Sequence, residues 1–250
     1  MVTVGRRVYG LGAIVLGLVE LRYGAFAEVW LPVPAHTPGY AVLVDAASVL
    51  LILGGLAINW RRTAVVAALS LASLFAVGML LAEAPRVVVR PANWGGWQAV
   101  AESTVMALGG ALAWLQTSAA DEQSRSRLSR VIFGLCLLIF GVSHFVYAKF
   151  TASMVPAWIP PSQMAWAYAT GLAQLAAGLA VLTGLWARRA AILLTVMYAA
   201  FGVLVHLPAV IANPSSHDVW AENAINLVLT GAAWVLAERL GKTREVEQSA

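Results

Sequence analysis

Charge is what this sequence has least of. Of its 250 residues only 11% are Asp, Glu, Lys or Arg, against roughly 25% in a typical soluble domain. So few charges cannot cover a water-facing surface, which excludes a soluble globular domain. Cysteine is nearly missing as well. The single Cys136 sits inside an apolar stretch, so an internal disulfide, a CxxC redox centre and a thiolate metal cluster are all ruled out. Any thiol redox chemistry would need another protein's cysteines.

What is present is apolar: 60% of the residues are hydrophobic, and the mean hydropathy is +0.78. Runs near 20 residues long match a hydrocarbon layer of about 30 Å at about 1.5 Å of helix rise per residue. Helices are predicted at about 8–26, 40–59, 64–82, 97–116, 130–148, 165–186, 190–210 and 221–238. The fold class is therefore all-α: a polytopic transmembrane protein of about eight helices, arranged as two parallel-repeat four-helix bundles. The lipid bilayer is its first partner.

Basic residues test this layout, because Lys and Arg in short loops stay on the cytoplasmic side. With the N-terminus inside, Arg6, Arg7, Arg61, Arg62, Arg125, Arg127, Arg130, Arg188, Arg189, Arg239, Lys242 and Arg244 all fall in cytoplasmic segments. Only Arg22, Arg86, Arg90 and Lys149 fall on the other side. The expected location is the cell (inner) membrane, multi-pass, with both termini cytoplasmic. Basic loops facing anionic lipid explain the pI near 9.6, and nothing points to a nucleic-acid partner. Arg6, Arg7 and the apolar stretch up to Ala25-Phe26-Ala27 imitate a secretory signal. Glu20 and Arg22 interrupt that stretch and it has a counterpart inside the chain, so it is expected to be retained.

The two halves match at an offset near 124 residues. Gly10-Leu11 falls over Gly134-Leu135, Glu20 over His144, Tyr23 over Tyr147 and Leu31-Pro32 over Val155-Pro156. Gly54 falls over Gly178, Leu80 over His206, Phe75 over Phe201, Glu102 over Glu222 and Trp114 over Trp234. Four crossings each make this a parallel repeat about an axis along the membrane normal. The organisation expected is a diverged first repeat over 1–116, a cytoplasmic linker over 117–129, a second repeat over 130–240 and a cytoplasmic tail over 241–250. Gly54-Gly55, Gly109-Gly110, Gly171, Gly178 and Gly184 permit close helix approach.

Polar residues collect at the outer ends of the second repeat. His144 and Tyr147 lie one turn apart, and Gln174 lies two turns into the next helix. Tyr198, Gly202 and His206 share a face at i, i+4, i+8, as do Glu222, Asn226 and Thr230, with Asn223 beside them. Ionisable groups within a membrane cost about 2.5 to 3.5 kcal/mol each on insertion scales and usually face a bundle interior or a wet cavity. His144, His206 and Glu222 are the candidate catalytic residues. Tyr147, Trp158, Gln174, Tyr198, Asn223 and Asn226 are candidate substrate-binding residues, although Gln174, Asn223 and Asn226 also suit plain helix-to-helix bonding. The first repeat shows a weaker acidic version in Glu20, Asp45, Glu83 and Glu102, with Arg22 and Arg86 as partners. His144, His206 and Glu222 could also form a two-His, one-carboxylate metal site, or the two imidazoles a bis-His haem site, but spacing across separate helices supports neither.

The segment Met154 to Pro161 suits either a lid over such a site or an interfacial belt anchored by Trp158 and Trp166. In the 213–220 turn Asp218 is the expected cap of the last helix, and His217 is expected to face solvent.

The second half resembles the DoxX family of small four-helix membrane proteins. The resemblance rests on Gly141-Val142-Ser143-His144-Phe145-Val146-Tyr147, Val155-Pro156-Ala157-Trp158-Ile159-Pro160, Gly171-Leu172-Ala173-Gln174-Leu175-Ala176-Ala177-Gly178, His206-Leu207-Pro208 and Trp220-Ala221-Glu222. It covers about 126–238. It implies a four-helix membrane unit and a link to quinone-dependent oxidation of sulfur compounds or to membrane oxidoreductase complexes. Gln174 stands where many relatives carry an acid, and the fused first half suggests one protein doing the work of a pair of subunits.

Three functions fit the residues. The leading one is a redox-associated subunit, such as one of a quinone-linked membrane oxidoreductase, that binds quinone or a small apolar substrate in the outer half of the second bundle. There His144 and His206 hydrogen-bond carbonyl oxygens or relay protons, and Glu222 exchanges them with the outside. Electrons would come from a redox partner protein. The alternatives are an assembly or scaffold component, and a small-solute transporter; against the latter, no matching polar residues continue to the cytoplasmic side.

Overall fold

The structure is a computed structural model. It describes residues 3–117 and 122–249, with side chains described for 3–117 and 127–241. Part of the expected linker, and the side chains of Arg125, Lys242 and Arg244, lie outside the described residues.

Among the described residues the chain forms nine helices and no strand. They are α1 (Val4–Tyr23), α2 (Tyr40–Ala57), α3 (Ala64–Val89), α4 (Trp94–Leu115), α5 (Glu122–Val146), α6 (Ala148–Met154), α7 (Gln163–Thr183), α8 (Ala187–Ala212) and α9 (His217–Ser249). All but α6 are long. Six of them, α2, α3, α5, α7, α8 and α9, combine the length and the hydropathy needed to cross a bilayer. Large apolar side chains such as Val42, Val66, Leu81, Val88 and Ile211 stand exposed on their outer faces, a sheath that only lipid would tolerate on this scale. The chain is a multi-pass membrane protein.

Two long helices are more polar. α1 carries Arg6, Arg7, Glu20 and Arg22, and α4 carries Gln98 and Glu102. Their surroundings account for it. Consecutive long helices pack on one another from α1 round to α9, α9 closes the ring on α1, and α4 meets α9 across the middle. α4 and the buried flank of α1 therefore face protein and need not be apolar, while Val4, Leu11 and Leu18 on the other flank of α1 stand exposed. The α4–α9 partition leaves two compartments. One is walled by α1, α2, α3, α4 and α9, the other by α4, α5, α7, α8 and α9.

The two four-helix repeats are thus interlocked in a single ring: α1 of the first packs on α9 of the second, and α5 of the second packs on α4 of the first. Their contacts repeat. A Cβ on Gly10 would lie 2.5 Å from the Gly55 carbonyl oxygen, and one on Gly178 would lie 3.0 Å from that of Gly134. Each hairpin therefore closes to a backbone distance that only glycine permits. The Arg6 guanidinium donates to the Ile58 carbonyl, and that of Arg130 donates to the Val181 carbonyl at 2.7 Å. In each repeat a cation satisfies the open C-terminal carbonyls of the next helix.

The later helices also repeat a defect. α3 widens into a π-helical turn at Met79–Glu83 and α8 at Gly202–His206, each followed by a proline, Pro85 or Pro208. Proline lacks an N–H and its ring crowds the carbonyl four residues back; the chain bonds five residues back instead, Ala84 N–H to Met79 and Leu207 N–H to Gly202. These turns lie 123 residues apart, and they correct the expected pairing of the halves. Glu83 stands where His206 does, whereas Leu80 is 59% exposed on the outer face. The same register pairs Trp97 with Trp220, whose indole N–H groups donate to Pro91 and Pro214. Glu102 and Trp114 are therefore not the counterparts of Glu222 and Trp234; matching residue types had slipped the alignment by one turn.

Element bounds differ mainly at the linker and at the C-terminal tail. α5 begins at Glu122, inside the expected linker, and α9 continues to Ser249 beyond the expected end at 238.

Candidate functional site

The compartments differ because the segments between their first two long helices do different things. In the first repeat, Phe26, Trp30 and Leu31 fold into the ring and are buried there. Trp30 packs edge-on against Phe75 at 6.0 Å between ring centroids, which leaves the compartment filled. In the second repeat the equivalent stretch forms α6 and lies across the top. Its Met154, Val155, Pro156 and Ile159 roof a cavity of about 830 Å³, the size range of ligand pockets.

Seven of the nine candidate residues line this cavity: His144, Tyr147, Gln174, Tyr198, His206, Glu222 and Asn226. The other two do not. Trp158 is 74% exposed and faces away from the roof it belongs to, as a belt residue does. Asn223 is half-buried on α9, off the cavity wall. Met154, Val155, Pro156 and Ile159 therefore cover the cavity while Trp158 of the same segment points outward.

The polar groups are held in defined roles. His144 Nδ1 lies 3.2 Å from the Ala167 carbonyl and 2.9 Å from Thr170 Oγ1, and its Nε2 lies 3.2 Å from Gln174 Nε2. This network selects the tautomer in which Nδ1–H donates to Ala167 and Nε2 accepts the Gln174 amide. The imidazole is also stacked on Phe201, 6.5 Å between centroids. Gln174 is thereby oriented with its Oε1 buried and unpartnered among the described residues, and the buried Tyr198 hydroxyl is likewise unpartnered. His206, the last residue of the π turn, makes no side-chain hydrogen bond among the described residues. Asn226 donates to the Tyr198 carbonyl at 3.0 Å, so it ties α9 to α8. The Tyr147 hydroxyl accepts the Gly95 N–H at 2.9 Å and Ser143 Oγ accepts the Trp94 indole N–H at 2.8 Å. Both bonds fix α5 to the start of α4.

The sequence reading missed the contribution of α4. Gly95, Gln98, Ala99 and Glu102 of the first repeat line the second repeat's cavity, and Glu102 is within electrostatic reach of Glu222 and Glu83. Thr170, Phe140 and Phe201 were missed too. Thr170 sits one turn before Gln174, so the i, i+4 spacing used for the other helices would have found it.

Outside the cavity, His217 is not solvent-facing. Its side chain is 19% exposed, its Nε2 lies 3.3 Å from Glu20 Oε1, and its ring stacks on Tyr23 at 4.4 Å. Glu20 is fully buried and also accepts the Ala27 N–H at 2.9 Å; its partners are therefore His217 and the backbone rather than Arg22. Ser216, not Asp218, caps α9, accepting the Val219 N–H. Asp45 is exposed on α2. Among the described residues no three His, Cys, Asp or Glu side chains converge as a metal-binding set, and both ring nitrogens of His144 already have partners.

Chemically, the cavity offers the imidazole of His206 and two carboxyl groups, set in an apolar, partly aromatic wall, with the buried Gln174 Oε1 and Tyr198 hydroxyl held in the side chains behind its surface. Residues 133–236 match the model of a domain of unknown function (DUF8561). The matched domain runs from α5 to α9, covers under half of the chain and leaves out α4, which supplies one wall of the cavity. No curated protein and no solved structure matches the chain.

Proposed function

We propose that this protein is a redox-associated membrane subunit that binds quinone in the outer half of its second compartment. One observation carries the reading: two polar groups that are buried and unpartnered among the described residues, Gln174 Oε1 and the Tyr198 hydroxyl, belong to side chains that line one apolar, aromatic-walled cavity. Buried polar atoms are rarely left unpaired, and a quinone suits these two. Its carbonyl accepts from Tyr198 or His206; after reduction, the quinol hydroxyl donates to Gln174 Oε1. Reduction takes two electrons and two protons. The electrons come from a redox partner protein, and the protons pass through His206, Glu222 and Glu102. The resemblance of the second half to the DoxX family supports the same reading. The protein then lies in the cell membrane with both termini cytoplasmic, which sets the cavity towards the outer face.

A transport path is disfavoured by the filled interior beneath the cavity, where Phe133, Leu137, Val181 and Leu194 are buried. The test is lipid extraction from purified protein, followed by titration of a benzoquinone into wild type, Tyr198→Phe and His206→Ala. Quinone bound to wild type and weakened about tenfold in each variant, as expected for loss of one buried hydrogen bond, supports the site. No binding to a wild type that is folded rejects it in favour of a scaffold role.

A further inference from the structure

The cavity is long and its two ends differ in character. From Leu193 to His206 its wall follows α8 over thirteen residue steps, about 20 Å at helical rise. His144, Gln174, His206, Glu222 and Glu102 gather at the outer end. Towards the cytoplasmic side the lining is Phe140, Leu193, Val196, Met197 and Leu229, apolar residues with Tyr198 as the one polar side chain beside them.

That apolar end is open. Leu193 and Val196 line the cavity, yet they are 68% and 61% exposed. A side chain that is both cavity wall and outer surface marks an opening, and on a membrane-crossing helix that opening gives onto lipid. Its position follows from packing. The opposite flank of α8, with Ala191, Leu194 and Tyr198, is buried and joined to α9 through Asn226, which leaves the Leu193–Val196 flank on the α7 side. α7 is held close to α5 by Gly134 against Gly178 and Gly141 against Gly171, and only loosely to α8.

We propose that the cavity takes a tailed, membrane-dissolved molecule, its ring at the polar outer end and its chain running down α8 and out into the bilayer between α7 and α8. This rests on the quinone reading for the ring; the chain route stands on the opening itself. Lipid tails are as apolar as leucine side chains, so a chain gains little by leaving lipid for protein. What the opening supplies is freedom for the chain to stay in lipid while the ring binds. A sealed cavity would reject tailed molecules by overpacking.

The experiment compares two probes in wild-type protein held in lipid nanodiscs: 2,3-dimethoxy-5-methyl-1,4-benzoquinone, which has no tail, and its 6-decyl homologue. Both are titrated again into Leu193→Trp and Val196→Trp. These positions face lipid, so the added bulk closes the opening without entering the core. The decyl probe is expected to lose about tenfold or more in affinity, while the tailless probe stays within about twofold. Equal changes for the two probes would overturn the chain route while leaving the quinone site intact. If neither probe binds wild type, the quinone reading fails and lipid extraction decides the route by itself. A chain-bearing lipid that copurifies with wild type and is lost from Leu193→Trp sustains the route; equal lipid in both overturns it.

Discussion

The interlocking of the repeats predicts which glycine the fold can least spare. At Gly231, on α9, a Cβ would lie 2.3 Å from the Tyr9 backbone nitrogen and 2.4 Å from its Cα. Ordinary contact needs about 3.4 Å or more, so α1 and α9 would have to part by about 1 Å along a seam that joins the two repeats. Overpacking of this kind costs about 1–3 kcal/mol. The shift also strains the Tyr9 hydroxyl bond to the Met106 carbonyl, 2.7 Å and buried, worth about 0.5–1.5 kcal/mol. Alanine in place of glycine returns up to about 1 kcal/mol of helix propensity. The net is about 2 kcal/mol, or a fall in Tm of about 4–8 °C for a chain of this size. Gly78→Ala is the control: its Cβ meets only the terminal Cδ1 of Leu31 at 3.0 Å, which can rotate aside. Thermal unfolding of both variants in the same detergent makes the comparison. If Gly231→Ala melts within about 2 °C of Gly78→Ala, the α1–α9 seam is not the close contact described, and the repeats pack as separate bundles.

Three further outcomes follow from the same geometry. Trp30→Ala should empty the filled compartment and lower stability by about 3–5 kcal/mol, read as a Tm loss, with little change in ligand affinity in the other compartment. Glu102→Leu should weaken benzoquinone binding about tenfold, equivalent to one buried hydrogen bond donated by its carboxylic acid to a quinone carbonyl, although Glu102 lies outside the matched domain; unchanged affinity would remove α4 from the site. With Cys136→Ala as background, a membrane-impermeant maleimide applied to intact cells should label Lys149→Cys but not Arg62→Cys, and the reverse pattern would invert the orientation.

The helices were legible because their physics is local. Hydropathy located all eight long ones, and it erred where charge begins, at Glu122 and beyond residue 238, because a hydropathy window ends at charged residues while backbone hydrogen bonding continues through them. The polar spacing on α8 and α9 likewise put Tyr198, His206, Glu222 and Asn226 on the faces that line one cavity, whereas Thr230 of the same series lies off it. What could not be read was contact between distant helices. Glu102 was assigned to the first bundle because nothing in the periodicity of α4 says which compartment it borders; Gly109-Gly110 hinted only that it packs closely somewhere. His217 looked solvent-facing because its partners, Glu20 and Tyr23, lie nearly 200 residues away. The π turns did have a signal, in Ala84-Pro85 and Leu207-Pro208 placed near the end of a span, since proline there forces the bonding pattern to change.

The partition formed by α4 and α9 also explains why the two repeats belong on one chain. The second repeat alone holds His144, Gln174, His206 and Glu222, but its cavity lacks a wall without Gly95, Gln98, Ala99 and Glu102. Its α5 would lose the bonds from Trp94 and Gly95 to Ser143 and Tyr147, and its α9 would lose α1, the seam at Tyr9 and Gly231. A chain cut between α4 and α5 and expressed as two pieces should therefore recover quinone binding only when both pieces are present, since every missing contact is made between them. The second piece alone should reach the membrane, being apolar enough to insert, yet bind at least about tenfold more weakly than the pair. Full affinity in that piece by itself would show that the matched domain is self-sufficient, and that the first repeat serves some purpose other than closing the site.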